Sequence, residues 1–328
     1  MSKNFDKCLA AILGFTVGDA LGVPGEFKSR TKMKESPITD MIGFGTHNQP
    51  AGTWSDDSSM VIATMEWLGE MENNNADYTL LMDKFTDWLI NGKYTPYGET
   101  FDRGISTSAA INNYTKGVAP LKCGGQTEWD NGNGSLMRIL PAALWCAKSL
   151  ATDEMCGTEF IYELSALTHG HLRSKMGCLI YAKIIADLLF ACDKNKMEVV
   201  KKSMAACKGF FDCEDDKGVF YEKNAYARLW DVETFQKLDE NDIKSSGYVV
   251  HTLEAAIWCF LNTDNYANCV LKAVNLGDDT DTVGAVAGGL AGIYYGMEEI
   301  PEKWLNLLAR REWIIEKCHL AYNKEGMF

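Results

Sequence analysis

A chain of 328 residues with 46% hydrophobic side chains carries enough apolar material for a large core, which excludes an intrinsically disordered protein. Its formal net charge of −13 excludes general binding to nucleic-acid backbones, because that affinity comes from Lys and Arg displacing counterions; partners held by charge should be cationic. The eleven cysteines are odd in number, scattered and without a C-x-x-C pair, so reduced core thiols are expected rather than a disulfide framework or a thiolate zinc site.

Apolar residues at Phe5, Leu9, Ile12, Leu13, Ala20 and Leu21 recur at helical spacing and predict a first helix. Asp19 interrupts it, no basic leader or cleavage site precedes it, and no run of 18 apolar residues occurs anywhere. A cytoplasmic protein with no membrane partner is therefore expected. The same period predicts helices over 58–70, 78–91, 136–148, 158–168, 174–192, 197–208, 249–262, 266–275, 282–296 and 301–322. With no strand alternation and no βαβ rhythm, the expected fold class is all-α. No linker or repeat divides the chain, so a single domain over 1–328 is expected, with the more charged stretch 209–246 as a peripheral excursion. Glycine-rich loops at 14–25, 43–55, 124–134 and 277–279 lie between helices, where a helical scaffold carries function.

Taken in order, the motifs begin with "GFTVGDALGVPGEF" (14–27). Asp19 is expected to bond backbone amides of a neighbouring loop, whereas Glu26, on a glycine-bounded loop, can serve as general base or acid. "GTWSDDSSM" places Asp56 and Asp57 side by side at a helix start, and "GDDTDT" places Asp279, Asp281 and Thr282 at another. Each knot alone reads as an acidic N-cap; together they read as one site of hard oxygen ligands for Mg²⁺, Mn²⁺ or Ca²⁺. "FDRG" supplies Asp102, a loop capper or a site carboxylate. "WDNGNGSLMRILP" offers Asn131, Gly132, Asn133, Gly134 and Ser135 before a helix starting near Leu136, which is either a plain turn or an anion site of backbone amides. "THGH" brings His169 and His171, spaced for a substrate phosphate or a helix end rather than for zinc. "SSGYVV" brings Tyr248 after Gly247, to stack on a ring or simply to pack.

These motifs, in this order and across nearly the whole chain, resemble the ADP-ribosylglycohydrolase family, which includes dinitrogenase reductase-activating glycohydrolase. The resemblance implies a single compact orthogonal helical bundle and two divalent cations, Mg or Mn. Their ligands would be Ser55, Asp56 and Asp57 with Asp279, Asp281 and Thr282. Ser55 replaces the family's usual Thr, which keeps the hydroxyl but frees its rotamer. Asp278 stands where a second Gly is common. The resemblance further implies hydrolysis of ADP-ribose from an ADP-ribosylated protein. Glu26 would manage protons, the 131–135 loop and His169 would hold ribose and pyrophosphate, and Gly247 and Tyr248 would shape the pocket. Asp102 resembles the acid of members acting on ADP-ribosyl-arginine, so an arginine linkage is expected. Alternatives are another ADP-ribosyl linkage (serine, O-acetyl-ADP-ribose or nucleic acid), a two-metal phosphoesterase, or a non-catalytic relative such as a lens-crystallin-like structural protein. An immunity-type protein that occludes a toxin partner is a further one, with 209–246 as its surface.

Overall fold

The computed structural model describes residues 3–72, 75–152, 155–191, 195–213 and 217–323. Its helices are α1 (Lys3–Gly22), α2 (Arg30–Glu35), α3 (Asp56–Glu70), α4 (Tyr78–Asn91), α5 (Ile105–Thr115), α6 (Leu140–Trp145) and α7 (Ala147–Leu150). They continue as α8 (Thr158–Ala166), α9 (Leu172–Phe190), α10 (Lys196–Cys213), α11 (Lys217–Glu222), α12 (Val232–Gln236) and α13 (Val249–Leu261). The last are α14 (Tyr266–Val274), α15 (Thr280–Tyr295), α16 (Glu302–Leu307) and α17 (Arg311–Tyr322). Among the described residues the only extended pairings are isolated bridges, so the fold is all-α, as the apolar period predicts. No described helix is long and apolar enough to cross a membrane.

At the centre α15 packs along α1 and is flanked by α13 and α14. Gly14 and Gly18 on α1 meet Gly288 and Gly284 on α15 so closely that a Cβ on Gly18 would lie 2.1 Å from the Gly284 carbonyl oxygen. Lack of side chains here lets the two backbones touch. The contact continues to the site end: a Cβ on Gly22 would lie 2.3 Å from the Asp281 Cα, and Thr280 Oγ1 donates to the Gly22 carbonyl at 2.6 Å. Two rigid helices thus fix where the second acidic knot stands.

Several predicted elements differ from the observed ones. The helix expected over 136–148 is instead a 3₁₀ turn (Asn133–Arg138) followed by α6 and α7. Pro141 lacks the N–H that would continue the turn into an α-helix, and opens α6 instead. The helix expected over 301–322 breaks before Arg310, which adopts φ 50°, with its guanidinium 3.5 Å from the Trp313 ring centroid and donating to the Thr95 carbonyl at 2.9 Å. The stretch 209–246 contributes α11, a 3₁₀ helix (Lys223–Trp230) and α12, and buries Phe211, Tyr226, Leu229, Val232, Phe235 and Ile243 in the common core.

Candidate metal centre and substrate cleft

Ser55 caps α3 by accepting from the Asp57 amide at 3.2 Å, which puts Asp56 and Asp57 on the first turn with their carboxylates buried. Asp19 holds this turn from α1. Its Oδ1 accepts from the Ser55 amide at 2.9 Å, and its Oδ2 accepts from the Ser58 amide at 3.0 Å and the Ser58 hydroxyl at 2.6 Å. Burial pushes its carboxyl up to about 6. This is the backbone-bonding role its setting in the sequence suggests. On the other side, Asp279 caps α15 without a side-chain cap bond and Asp281 lies in its first turn. The Thr282 hydroxyl donates to Asp57 Oδ1 at 3.4 Å, joining the two knots across 225 positions of sequence.

Glu26 reaches into the same space. One carboxylate oxygen each from Glu26, Asp279 and Asp281 lie within 4.8 Å of one another, and Glu26, His47 and Asp102 form a second such group. Asp56 and Asp57 stand outside these two groups but line the same cleft of about 400 Å³. Burial, then mutual repulsion, raises Asp56, Asp57 and Asp281 well above the usual carboxylate range. Asp102 and Asp279 are raised by burial, and burial with Asp102 and Asp279 nearby pushes Glu26 up to about 7. Asp57 Oδ2 and Asp279 Oδ1 are buried with no hydrogen-bond partner. Six carboxyl groups and two orphaned oxygens are the donor set of hard cations, and the residues present fit such ions.

Asp278 does not belong to this set. Its side chain is exposed and borders a neighbouring pocket with Arg30 and Lys34. Its backbone matters instead: held at φ 61°, its amide donates to the Lys28 carbonyl at 2.8 Å and its carbonyl accepts from the Phe27 amide at 2.7 Å. Those two bonds anchor the loop that carries Glu26.

The wall opposite is made by two stitched loops. The Asn133 amide donates to the Gly247 carbonyl at 2.9 Å and the Val249 amide to the Asn131 carbonyl at 3.0 Å. Asn133 lines the cleft and donates to Asp279 Oδ2 at 2.8 Å. Gly132, Gly134 and Gly247 line it through their backbones; a Cβ on Gly134 would lie 2.7 Å from His169 Cε1. Two expected contacts differ in place. Ser135 is fully buried, accepting from the Ser165 hydroxyl at 3.0 Å, because the 3₁₀ turn rotates it into the core. The Asn131 carboxamide faces Ser174 and the Glu128 carbonyl. The expected helix N-terminus at Leu136 is likewise absent, so the wall's amides are those of a loop and a 3₁₀ turn.

His169 lines the cleft and is buried, and burial with Arg138 nearby pushes it down to about 3, so it is a neutral ring and not a cation for phosphate. Arg138 NH2 donates to Thr168 Oγ1 at 2.8 Å, and Thr168 Oγ1 lies 2.9 Å from His169 Nδ1. Arginine can only donate, so the threonine oxygen accepts from it, and the contact of the same oxygen with Nδ1 holds the ring in place. His171 caps the start of α9 rather than a helix end, accepting from the Arg173 amide at 3.2 Å. Arg173 in turn donates to Glu222 at 2.7 Å and to the Tyr248 hydroxyl at 3.1 Å, which holds the Tyr248 ring beside the wall. The sequence reading missed His47, Thr107, Thr168, Arg173 and Glu222. Thr168 opens the quoted "THGH" and Thr107 follows "FDRG" by three residues, but neither carries a local mark of its role, and His47, Arg173 and Glu222 acquire theirs through contacts distant in sequence.

An all-helical bundle that converges buried carboxylates on an open cleft has the side chains that could hold a divalent cation. Comparison with known proteins supplies the family: the ADP-ribosylglycohydrolase family profile matches residues 1–326, and the chain belongs to that family. It is 31% identical over 314 residues to ADP-ribosylarginine hydrolase Tri1 of Serratia proteamaculans (strain 568), covering 95% of this chain and 78% of that one. It is 29% identical over 305 residues to the ADP-ribosyl-[dinitrogen reductase] glycohydrolase of Rhodospirillum rubrum, covering 92% and 90%. A solved structure described as an ADP-ribosylglycohydrolase-related protein complex superposes with a TM-score of 0.77 at 28% identity, over 98% of this chain and 99% of that one. The resemblance drawn from the motifs is therefore borne out.

Proposed function

We propose that this protein is a divalent-metal-dependent hydrolase that removes ADP-ribose from modified arginine side chains of proteins. The observation that carries the reading is the convergence of both acidic knots and Glu26 on one cleft. Its relatives named ADP-ribosylarginine hydrolase support the acceptor. Ser55, Asp56, Asp57, Asp279, Asp281 and Thr282 would hold two Mg²⁺ or Mn²⁺ ions, which supply charge neutralisation and Lewis acidity toward the hydroxyls of the distal ribose. Glu26 takes a proton from the water that attacks C1″, and its bond to His47 orients the carboxyl for that transfer. As the new C1″–O bond forms and the C1″–N bond breaks, the departing guanidine takes the bonding pair and then the proton that Glu26 removed from water, which leaves Glu26 ionised and the arginine as a guanidinium that pairs with Asp102. His169 and the Gly132–Gly134 backbone hold the pyrophosphate, and Tyr248 bounds the pocket.

Release of ADP-ribose from matched arginine- and serine-linked peptides, followed by mass spectrometry with Mg²⁺, with Mn²⁺ and with EDTA, tests this. The expected result is metal-dependent release from the arginine peptide alone. Release from the serine peptide instead would overturn the acceptor, and release undiminished by EDTA would overturn the metal dependence.

A further inference from the structure

Large apolar side chains stand in solvent at the mouth of this cleft, where Phe27 and Ile105 line it on the loops of Glu26 and Asp102, and on the adjoining turn of His47. Phe27 follows Glu26 and is 70% exposed; Ile105 lies three residues after Asp102 and is 89% exposed. Phe44 is 61% exposed and opens the turn whose His47 bonds Glu26. His47 joins the loops, its ring centroid 5.9 Å from that of Phe27 and 5.3 Å from that of Phe101. The three loops therefore form one continuous lip. Phe27 and Phe44 are also held at φ 62° and 68°, a region that bulky side chains enter only under strain. Backbone bonds fix both: the Phe27 amide donates to Asp278 and the Phe44 amide to the Gln49 carbonyl at 2.5 Å. Stability alone would select Gly or Asn at such backbone angles and polar side chains at such exposure. The chain instead keeps phenylalanine at both, exposed to solvent.

We propose that this lip docks the polypeptide bearing the modified residue, taking apolar side chains next to the modification within a segment of net positive charge. The inference rests on the reaction proposed above. In that reaction the acceptor end of the substrate faces Glu26 and Asp102, and the lip is built on their loops, so the chain on either side of the acceptor crosses it. Charge favours the same occupant: the lip surrounds an acidic mouth on a molecule of net charge −13. The exposed apolar groups supply the short-range part of the contact.

The test compares kcat/KM for an arginine-ADP-ribosylated basic protein with kcat/KM for free ADP-ribosyl-arginine, in the wild type and in Phe44→Ser and Ile105→Ser. Both substituted positions are exposed, and thermal unfolding at the wild-type temperature checks that the fold is kept. The expected result is a loss of about tenfold on the protein substrate with less than about twofold change on the free compound. Equal losses on both substrates, or none on either, would overturn the docking lip. Failure of the wild type to release ADP-ribose from either substrate would overturn the reaction itself, and the docking inference with it, so the two failures are told apart.

Discussion

Removing one carboxylate from the cleft should affect the metal-free and metal-loaded protein in opposite directions. Asp57 is buried among Asp19, Asp56, Asp279 and Asp102, and its Oδ2 has no partner. Asp57→Asn therefore relieves repulsion, and the EDTA-treated variant should melt higher than wild type by about 3 °C or more. The same change should erase the melting shift caused by Mn²⁺ and lower turnover by about 100- to 1,000-fold. A metal-free melting point below that of wild type would contradict the electrostatic account. Thr168→Val tests the wall. It removes the hydroxyl between Arg138 and His169, so KM should rise about tenfold with kcat nearly unchanged, whereas a general loss of structure would lower kcat as well. The acids of the two knots were legible in the sequence because they stand among Ser and Thr at helix starts, and Glu26 because it follows Gly25 in a loop. The roles of Thr168 and His47 were not, because they come from partners that folding brings close: His47 meets Glu26 across 21 positions, and Thr168 meets Arg138 across 30.

At the level of elements, the α1–α15 contact converts glycine spacing into site geometry. Gly18→Ala would place a methyl group 2.1 Å from the Gly284 carbonyl oxygen, where backbone cannot yield cheaply. A cost of about 3 kcal/mol is expected from urea denaturation, with weaker Mn²⁺ binding because α15 carries Asp279 and Asp281. Gly209→Ala is the matched control: it is exposed within α10 with nothing near its added methyl, and should stabilise by about 0.5–1 kcal/mol. Similar responses at both positions would rule out the close approach. Helix existence was legible wherever apolar residues kept the period, as in α3, α9, α13 and α15. It failed where long-range contacts set the boundary: Arg310 turns to reach Thr95 and Trp313, and a side chain bonding 215 residues away leaves no local signal. α5 was missed for a related reason. "ISTSAAINNYT" buries only Thr107, Ala110 and Ile111, too few apolar positions to mark a face.

Across the whole molecule the buried carboxylates set an unusual dependence of stability on pH. Asp56, Asp57, Asp281, Asp279 and Asp102 have folded values raised by burial, with Asp19 at about 6 and Glu26 and Glu254 each at about 7. A carboxyl group so raised binds more protons folded than unfolded between about pH 4 and its folded value, so unfolding becomes easier as pH rises through that interval. His169 and His251 oppose this, since their depressed values mean stability lost as pH falls below about 6.5, but they are two groups against eight, and the raised His47 sides with the eight. Below that range Glu66 takes over. Although burial works against its charge, hydrogen bonds from Lys317, Tyr94 and Lys84 hold it at about 2, so the stability it confers disappears as pH falls from about 4 toward 2. The metal-free protein should therefore be most stable near pH 4–5 and lose stability toward pH 8. Divalent cations reverse the trend, because they bind the deprotonated carboxylates and compete with protons for them. Thermal melts from pH 5 to 8 should show a falling midpoint in EDTA and a Mn²⁺-induced increment that grows with pH. A midpoint in EDTA that rises with pH, or an increment largest at pH 5, would mean that the acidic cleft is not what governs the charge balance of this fold.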